Sequence, residues 1–507
     1  MKIIIMDTTL RDGEQTSGVS FTDEEKLGIA KLLLEELKVD RLEVASARVS
    51  EGELEAVRKI IKWATSKNLL DRIEVLAFVD GNLSIDWIKD AGAKVMNLLT
   101  KGSYRHVTEQ LGKTPEEHLK DIKYSIDYAL QNGLKVNIYL EDWSNGMRKS
   151  KDYVYFMLDS LKNEKVDRFM LPDTLGILNP DETYEYCKLI KDKYPKLRFD
   201  FHAHNDYDLG TANVYSAIKA GITGIHTTVN GLGERAGNVP LSSVIGVIKD
   251  HLKCRMSIKE SKLSLVSKMV ESFSGIRIPP NKPLIGESVF TQTCGVHADG
   301  DQKSQLYFND LLPERFGRRR TYALGKTSGK ANIKQNLEEL GIDLDDESMR
   351  KITDRVIELG DKKETVTRED LPYIISDVLK SKYINEKIQI ENYSLSTSNG
   401  LKPVATLKIK INDDEYEETA NGDGQYDAFV KALKKIYKKL NKTFPKLMDY
   451  SVSIPPGGKT DALVQTVITW DMQNGKEFRT RGLDSDQTVA AIKATLKMLN
   501  IIENSPL

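Results

Sequence analysis

The sequence predicts a (β/α)8 TIM barrel, then mostly helical linking subdomains, then a separate C-terminal α+β domain. Three observations in the 507 residues carry this. Eight short β-rich runs recur in the first half, each followed by an amphipathic helical stretch, which is the arithmetic of an eight-unit barrel in about 250 residues. The texture changes after Gly275, where IRIPPNKPLIGES brings three prolines. From about Asn385, strand-like runs and helices return in a stretch of about 120 residues, long enough to bury a core of its own. The expected boundaries are 1–275, 276–384 and 385–507.

The barrel runs are Lys2–Met6, Arg41–Ala45, Ile73–Val79, Lys94–Thr100, Lys135–Leu140, Arg168–Leu171, Arg198–His202 and Gly224–Val229. Between them, stretches such as 24–37 and Asp121–Leu130 place apolar residues at i, i+3, i+4 and i+7. A doubly wound open sheet uses the same units and is the alternative. Its dinucleotide version lacks the GxGxxG that should follow the first strand. The proline segment reads as extended. GVHADG (295–300) and RFGRRRTYALGKTSGKANI (315–333) read as polar and turn-rich, and helical patterns run from about Asn332 to Lys382. Further on, KIQIENYSLST, PVATLKIKIN, YSVSIPP and ALVQTVITWDM read as strands, with helices at Tyr426–Leu440 and Thr488–Leu499. No internal repeat is visible.

Composition excludes several classes. Lys+Arg at 74 against Asp+Glu at 75 gives a net charge of −1, without the basic excess of a nucleic-acid or anionic-membrane binder. The N-terminal MKIIIMDTTLRDGEQ has too short an apolar run for a signal peptide or membrane span. Cys187, Cys254 and Cys294 are odd in number and show no CxxC spacing, so a reducing cytoplasm is the expected setting.

In a barrel, chemistry gathers at the C-terminal strand ends. The strand-1 end is read as Arg11-Asp12-Gly13-Glu14, and strand 7 runs into His202-Ala203-His204. Residues i and i+2 of a strand share a face, so both imidazoles can close on one cation, with Asp12 as third ligand. Imidazole and carboxylate together suit Zn, Mn, Fe or Co, and Mg less well. Open coordination positions favour a Lewis-acid role. Arg11 is a permanent cation for a developing oxyanion, with a plain salt bridge as the alternative. Glu141, ending strand 5, suits proton transfer or holding a water. Thr174 can hydrogen-bond a substrate carboxylate or simply terminate strand 6.

Weaker signals sit elsewhere. His297 and Asp299 in GVHADG are an acid/base candidate or a surface turn. Arg318, Arg319 and Arg320 could meet phosphate but read better as a solvated cluster. The lysines between Lys431 and Lys442 are the wet side of a helix whose apolar face is Leu433, Ile436, Tyr437 and Leu440. GGKT at 457–460 lacks the earlier P-loop glycine, because Ser453 stands there.

Four ordered motifs, DTTLRDGEQTSGVSF, FHAHNDYDLGTANV, NGLGERAGN and FTQTCGVHADG, together resemble the signature segments of the family of 2-isopropylmalate, homocitrate and citramalate synthases. GDGQYDAF (422–429) and PPGGKTDALVQT (455–466) resemble that family's C-terminal regulatory domain. The resemblance implies a cytoplasmic, homodimeric acyltransferase that condenses acetyl-CoA with a 2-oxo acid and then hydrolyses the thioester. It implies a divalent metal (Mn, Zn or Mg) on Asp12, His202 and His204, with Asn238 in or near the shell. It further implies that Arg11 polarises the keto group, Thr174 holds the carboxylate, and Glu141 is the strand-5 glutamate. The resemblance also implies that His297 and Tyr307 act near acetyl-CoA, supplied by the neighbouring subunit. No nucleic acid or membrane partner is implied.

The choice of oxo acid is a question of pocket volume. Many family members with a branched substrate have Ser two residues before the strand-5 Glu; here it is Tyr139, with Leu76 and Leu99 on neighbouring strand ends. An overpacked fit costs about 1–3 kcal/mol, which favours pyruvate and citramalate formation for isoleucine synthesis. The alternative is 2-oxoisovalerate, the isopropylmalate reaction of leucine synthesis. The resemblance makes a branched-chain amino acid the effector, isoleucine in the first case, with Tyr426, Leu447, Tyr450, Ile454 and Val464 as its apolar lining. Two other classes compete. A metal-dependent hydroxyacyl-CoA lyase shares DTTLRDG and HxHN, but such enzymes generally stop soon after the barrel. A non-catalytic amino-acid sensor would not need Asp12, His202 and His204.

Overall fold

The structure is a computed structural model that describes residues 1–361, 366–379, 387–412, 414–453, 464–471 and 477–504. Ile454, the GGKT segment and the 384/385 boundary lie outside the described residues. The chain forms two units: residues 1–290 with 309–319, and residues 291–308 with 320–507. Among the described residues no helix is long and apolar enough to cross a membrane.

In the first unit, eight parallel strands pair in sequence order and the last closes on the first. They are β1 (Ile4–Asp7), β2 (Arg41–Ser46), β3 (Ile73–Phe78), β4 (Val95–Lys101), β5 (Lys135–Glu141), β6 (Arg168–Asp173), β7 (Phe199–Ala203) and β8 (Gly224–Thr227). Helices are started by the sequence itself. Thr22, Thr114 and Asn179 each accept a bond from the third residue on, whose Glu side chain reaches back to the cap. The stretch expected as one helix over 24–37 is helical over Asp23–Lys31 and then widens into a π turn over Leu32–Leu37.

The strand period of two sorts the barrel into an apolar outside and a polar lumen. Val44, Val75, Leu98, Ile138, Leu171, Phe201 and Ile225 are buried in the core shared with the helices. The other register contains Arg41, Glu43, Glu74, Asn97, Asn137, Arg168, Asp200, His202 and His226, where aliphatic layers are the usual filling. Arg41 is buried between Glu74, at 2.9 Å, and Asp200. Burial pushes the Asp200 carboxyl up, but the Arg41 charge, the bond with His226 and the Arg168 charge outweigh it and hold Asp200 well below the usual carboxylate range. Removing one member of such a group leaves buried charge uncompensated. Arg41→Met should therefore lower unfolding free energy by about 3–5 kcal/mol in urea titration; an unchanged midpoint would show the lumen charges are solvated.

The first strand ends at Asp7, so Arg11 and Asp12 are not at a strand end as the sequence reading had it. They lie in the turn that follows. The Thr8 carbonyl accepts from the backbone N–H of Arg11, Asp12 and Gly13, which rolls the chain back over the lumen. Asp7 fixes the start of this turn by accepting from Thr9 N–H at 2.9 Å. Its other carboxyl oxygen is buried without a partner, and burial pushes its pKa up to about 7. The unfolded chain titrates near 3.8, so this stabilising proton is fully effective below about pH 4 and is lost as pH rises through about 7. Asp7→Asn keeps the acceptor for Thr9 and removes the titration. Its stability relative to wild type should rise by roughly 2–3 kcal/mol between pH 5 and pH 8, read from denaturant titrations at both pH values.

In the second unit, Thr291–Gln292 (β9) pairs in parallel with Thr321–Tyr322 (β10). GVHADG is not a turn; it opens the helix Gly295–Ser304. Helices Lys330–Glu339, Asp346–Asp361 and Leu371–Leu379 share a small core around Ile333, Leu337, Ile352, Val356 and Leu371. Two antiparallel three-stranded sheets follow: β11 (Ile388–Ser396), β12 (Val404–Ile411) and β13 (Asp414–Asn421), then β14 (Lys446–Ser453), β15 (Val464–Asp471) and β16 (Glu477–Asp484). Each sheet is followed by a helix, Gln425–Lys439 and Gln487–Asn504. This is a strand-strand-strand-helix unit used twice, a repeat the sequence did not reveal. β13 and β16 were also missed, because DEYEETAN buries only Ala420 and the buried stretch of EFRTRGLD is Thr480, Arg481 and Gly482, with no large apolar side chain. Asp370 ties the helical segment to the last helix by accepting from Lys497 at 2.7 Å.

Candidate metal centre and substrate pocket

The loop after β1 is pinned from three sides. Thr8 Oγ1 donates to Glu43 at 2.7 Å, and Val229 N–H donates to Thr9 Oγ1 at 2.8 Å. The fully buried Lys26 pairs with Glu14 at 2.6 Å and with Glu53. Asp12 thereby meets the β7 histidines: its Oδ2 lies 3.4 Å from His202 Nε2 and 3.9 Å from His204 Nε2. The two Nε2 atoms are 3.4 Å apart. His204 stands one residue beyond β7, held there by a bridge to Asn238.

These residues fit a single divalent ion. Ligand atoms bound at about 2.0–2.2 Å stand about 3.0–3.5 Å from one another, and the His204–Asp12 edge is only slightly longer. The two facing ring nitrogens and the Asp12 carboxylate together offer lone pairs that one shared cation can satisfy. Burial pushes His204 down to about 4, leaving its ring neutral as a ligand requires. Asp12 is held well below the usual carboxylate range: burial raises it, but Arg11 and the two imidazoles outweigh that. Asn238 Nδ2 donates to Asp12 Oδ1 at 2.8 Å, while its own Oδ1 is buried without a partner and can complete the donor set. NGLGERAGN shapes this corner. A Cβ on Gly233 would collide with the Asn238 amide, and one on Gly237 with the Gly231 carbonyl. Gly237 also has φ +85°, where side chains are strained.

Arg11 is oriented by two carboxylates, its Nη1 on Asp12 at 2.8 Å and its Nε on Glu43 at 2.7 Å. Burial acts to lower its pKa, but these charges hold it above the ordinary guanidinium value. Its Nη2 makes only a long contact, 3.4 Å, to the Tyr139 hydroxyl. Leu76, Tyr139, Met6 and Met170 form one apolar cluster in the lumen, with the half-buried Leu99 packed against it. Thr174 Oγ1 accepts from Asp142 N–H at 2.9 Å, so its own proton can be donated elsewhere. Glu141 pairs with Lys101 at the end of β4. Asp142, next to it, has φ +62°, a strained conformation at the mouth of the barrel.

His297 and Tyr307 lie in the second unit and meet each other, with ring centroids 4.1 Å apart. Gly300 permits this, since a Cβ there would run into the Tyr307 ring. Of the expected effector lining, Tyr426 and Tyr450 meet as tilted rings with centroids 5.4 Å apart, and the Tyr426 hydroxyl bonds Thr495. Leu447 and Val464 are not brought together. Leu447 pairs with Trp470 at one end of β15 while Val464 pairs with Asp484 at the other, about 20 Å of strand apart.

Glu43, Asn97, His226, Asp200 and Lys101 escaped the sequence reading. The signal was present: RLEVA and FDFHA place polar residues at alternate positions, GIHT carries His226, and VMNLLTK carries Asn97 and Lys101, inside parallel strands that are buried on both faces.

Comparison with known proteins agrees with this anatomy. The HMGL-like family model matches residues 2–270, the homocitrate synthase post-HMGL domain-like model residues 284–364, and the LeuA allosteric (dimerisation) domain model residues 365–503. The chain is 34% identical over 507 residues to the (R)-citramalate synthase CimA of Methanocaldococcus jannaschii, covering 99% of this chain and 100% of that one. It is also 34% identical to the 2-isopropylmalate synthase of the same organism, covering 99% of this chain and 95% of that one. The chain belongs to the HMGL-like barrel family, in the branch of the citramalate and 2-isopropylmalate synthases, and is an acyltransferase of that condensing class.

Proposed function

We propose that the chain condenses acetyl-CoA with pyruvate to (R)-citramalate and is inhibited by isoleucine. The observation that carries the substrate choice is the lumen cluster of Leu76, Leu99 and Tyr139 beside Arg11. Side-chain bulk at that place opposes an isopropyl group more than a methyl group.

A divalent ion bound by Asp12, His202, His204 and Asn238 would supply Lewis-acid polarisation of the keto oxygen. Arg11, fixed by Glu43 and Asp12, turns its remaining N–H groups to the same oxygen, and Thr174 donates its free proton to the substrate carboxylate. A base takes a proton from the acetyl methyl group. The carbon so freed forms the new C–C bond to the keto carbon, whose oxygen becomes a hydroxyl after gaining a proton. Water then cleaves the thioester, releasing CoA and a carboxylate. Glu141, steadied by Lys101, is the proton-transfer group on the barrel side. His297 and Tyr307, whose rings lie against one another, serve the acetyl-CoA side and come from a second copy in a homodimer. The match at 365–503 supports an allosterically regulated synthase over a lyase. The setting is the cytoplasm.

Equal identity to the isopropylmalate enzyme makes 2-oxoisovalerate the competing substrate. With CoA release as the readout, kcat/KM should be more than about tenfold higher for pyruvate; a higher value for 2-oxoisovalerate overturns the assignment. Tyr139→Ser should move the ratio toward the larger acid, and Tyr139→Phe, which keeps the volume, should not. Isoleucine should inhibit at lower concentration than leucine, and the reverse order would reassign the effector.

A further inference from the structure

His226 on β8 is fully buried, and none of the steps above uses it. Its Nε2 lies 3.3 Å from Asp200 Oδ2, and its Nδ1 lies 3.3 Å from Nδ1 of His202. Asp200 is itself gripped by Arg41 and, at 3.3 Å, by Arg168. Gly224 leaves the space that this carboxylate fills, since a Cβ there would collide with it. The row therefore runs from two guanidiniums through Asp200 and His226 to His202.

Proton accounting along the row leaves one arrangement compatible with metal binding. Asp200, between two guanidiniums, can only accept, so His226 carries its proton on Nε2 and presents a bare Nδ1. The facing Nδ1 of His202 must then be the donor. His202 Nε2 is left with its lone pair, and that atom faces Asp12 and His204. The Tyr139 hydroxyl also approaches His226 Nδ1, at 3.1 Å, but it has Glu43 Oε2 at 3.4 Å to donate to. A protonated Nδ1 on His226 would reverse the row and put a hydrogen on the His202 nitrogen that should ligate.

We propose that Asp200 and His226 are positioning residues that fix the tautomer of His202 and aim its Nε2 lone pair at a divalent ion. Outer partners of metal-bound histidines are usually carboxylates or backbone carbonyls. Here a second imidazole stands between, and the same ring abuts Tyr139, so the ligand and the substrate-selecting side chain share one support. The inference rests on the reading of Asp12, His202 and His204 as a metal site.

The test uses the full chain stripped of metal and titrated with Zn2+ in competition with a chromogenic chelator. His226→Gln keeps an amide at the Nε2 position for Asp200 but offers His202 no acceptor. His226→Asn keeps an acceptor at the Nδ1 position. The Gln variant should bind Zn2+ about 10- to 100-fold more weakly, and the Asn variant within about threefold of wild type. Gln binding as tightly as wild type overturns the proposal, as does equal weakening of both variants, the result of a purely packing role. A measurement on wild type stands beside these should a variant not fold. In the metal-free protein, long-range proton–nitrogen spectra of 15N-labelled histidine should find His202 protonated on Nδ1, and protonation on Nε2 would again overturn it. Wild type that binds no Zn2+ removes the metal site itself and the relay with it, whereas wild-type binding with an unaffected Gln variant removes the relay alone.

Discussion

The ion-paired row of Glu43, Arg11 and Asp12 is the constraint on which the rest of the active end depends. Both carboxylates are buried, and one guanidinium, itself largely covered, holds them at 2.7 and 2.8 Å. Such a group is tolerated in a barrel lumen only with its geometry satisfied at every member. Thr8 and Asn97 complete Glu43, and Asn238 completes Asp12. The consequence is a cation donor and an anionic ligand whose positions are fixed before any substrate arrives.

The same requirement runs down the lumen. Arg41 and Arg168 face Glu74 and Asp200, so the floor under the metal centre is a second layer of paired charge. Counting both layers, Asp12, Glu43, Glu74 and Asp200 stand against Arg11, Arg41 and Arg168, one carboxylate in excess. That excess falls naturally at Asp12, the corner where a divalent ion would bind. The lumen thus replaces much of the aliphatic filling of ordinary barrels with an electrostatic scaffold, and keeps an apolar cluster of Leu76, Leu99, Tyr139, Met6 and Met170.

The second unit distributes its roles differently. His297 and Tyr307 depend on one local contact allowed by Gly300, while the C-terminal sheets and helices repeat a single motif around Phe429, Leu433, Ile468 and Trp470. Two copies of one motif with little shared sequence keep their resemblance in backbone pairing, because many side-chain sets satisfy the same packing.

By itself the sequence determined the barrel, since eight alternations of strand and helix period leave few other closures. The His202–His204 pair was legible too, because extended chain of period two puts residues i and i+2 on one face, although His204 lies one residue beyond β7 and is held there by its bridge to Asn238. Asp12 was legible as a partner but not in its true place, since only the three bonds to the Thr8 carbonyl turn the loop back over the lumen. Glu43, Asp200 and His226 were decided by tertiary structure. Each shows in the sequence only as a polar residue within a strand, and its meaning is its partner, which lies 32, 159 or 24 residues away in the pairs with Arg11, Arg41 and His202. The separation of Leu447 from Val464 was decided the same way, by a strand register that composition and periodicity do not encode.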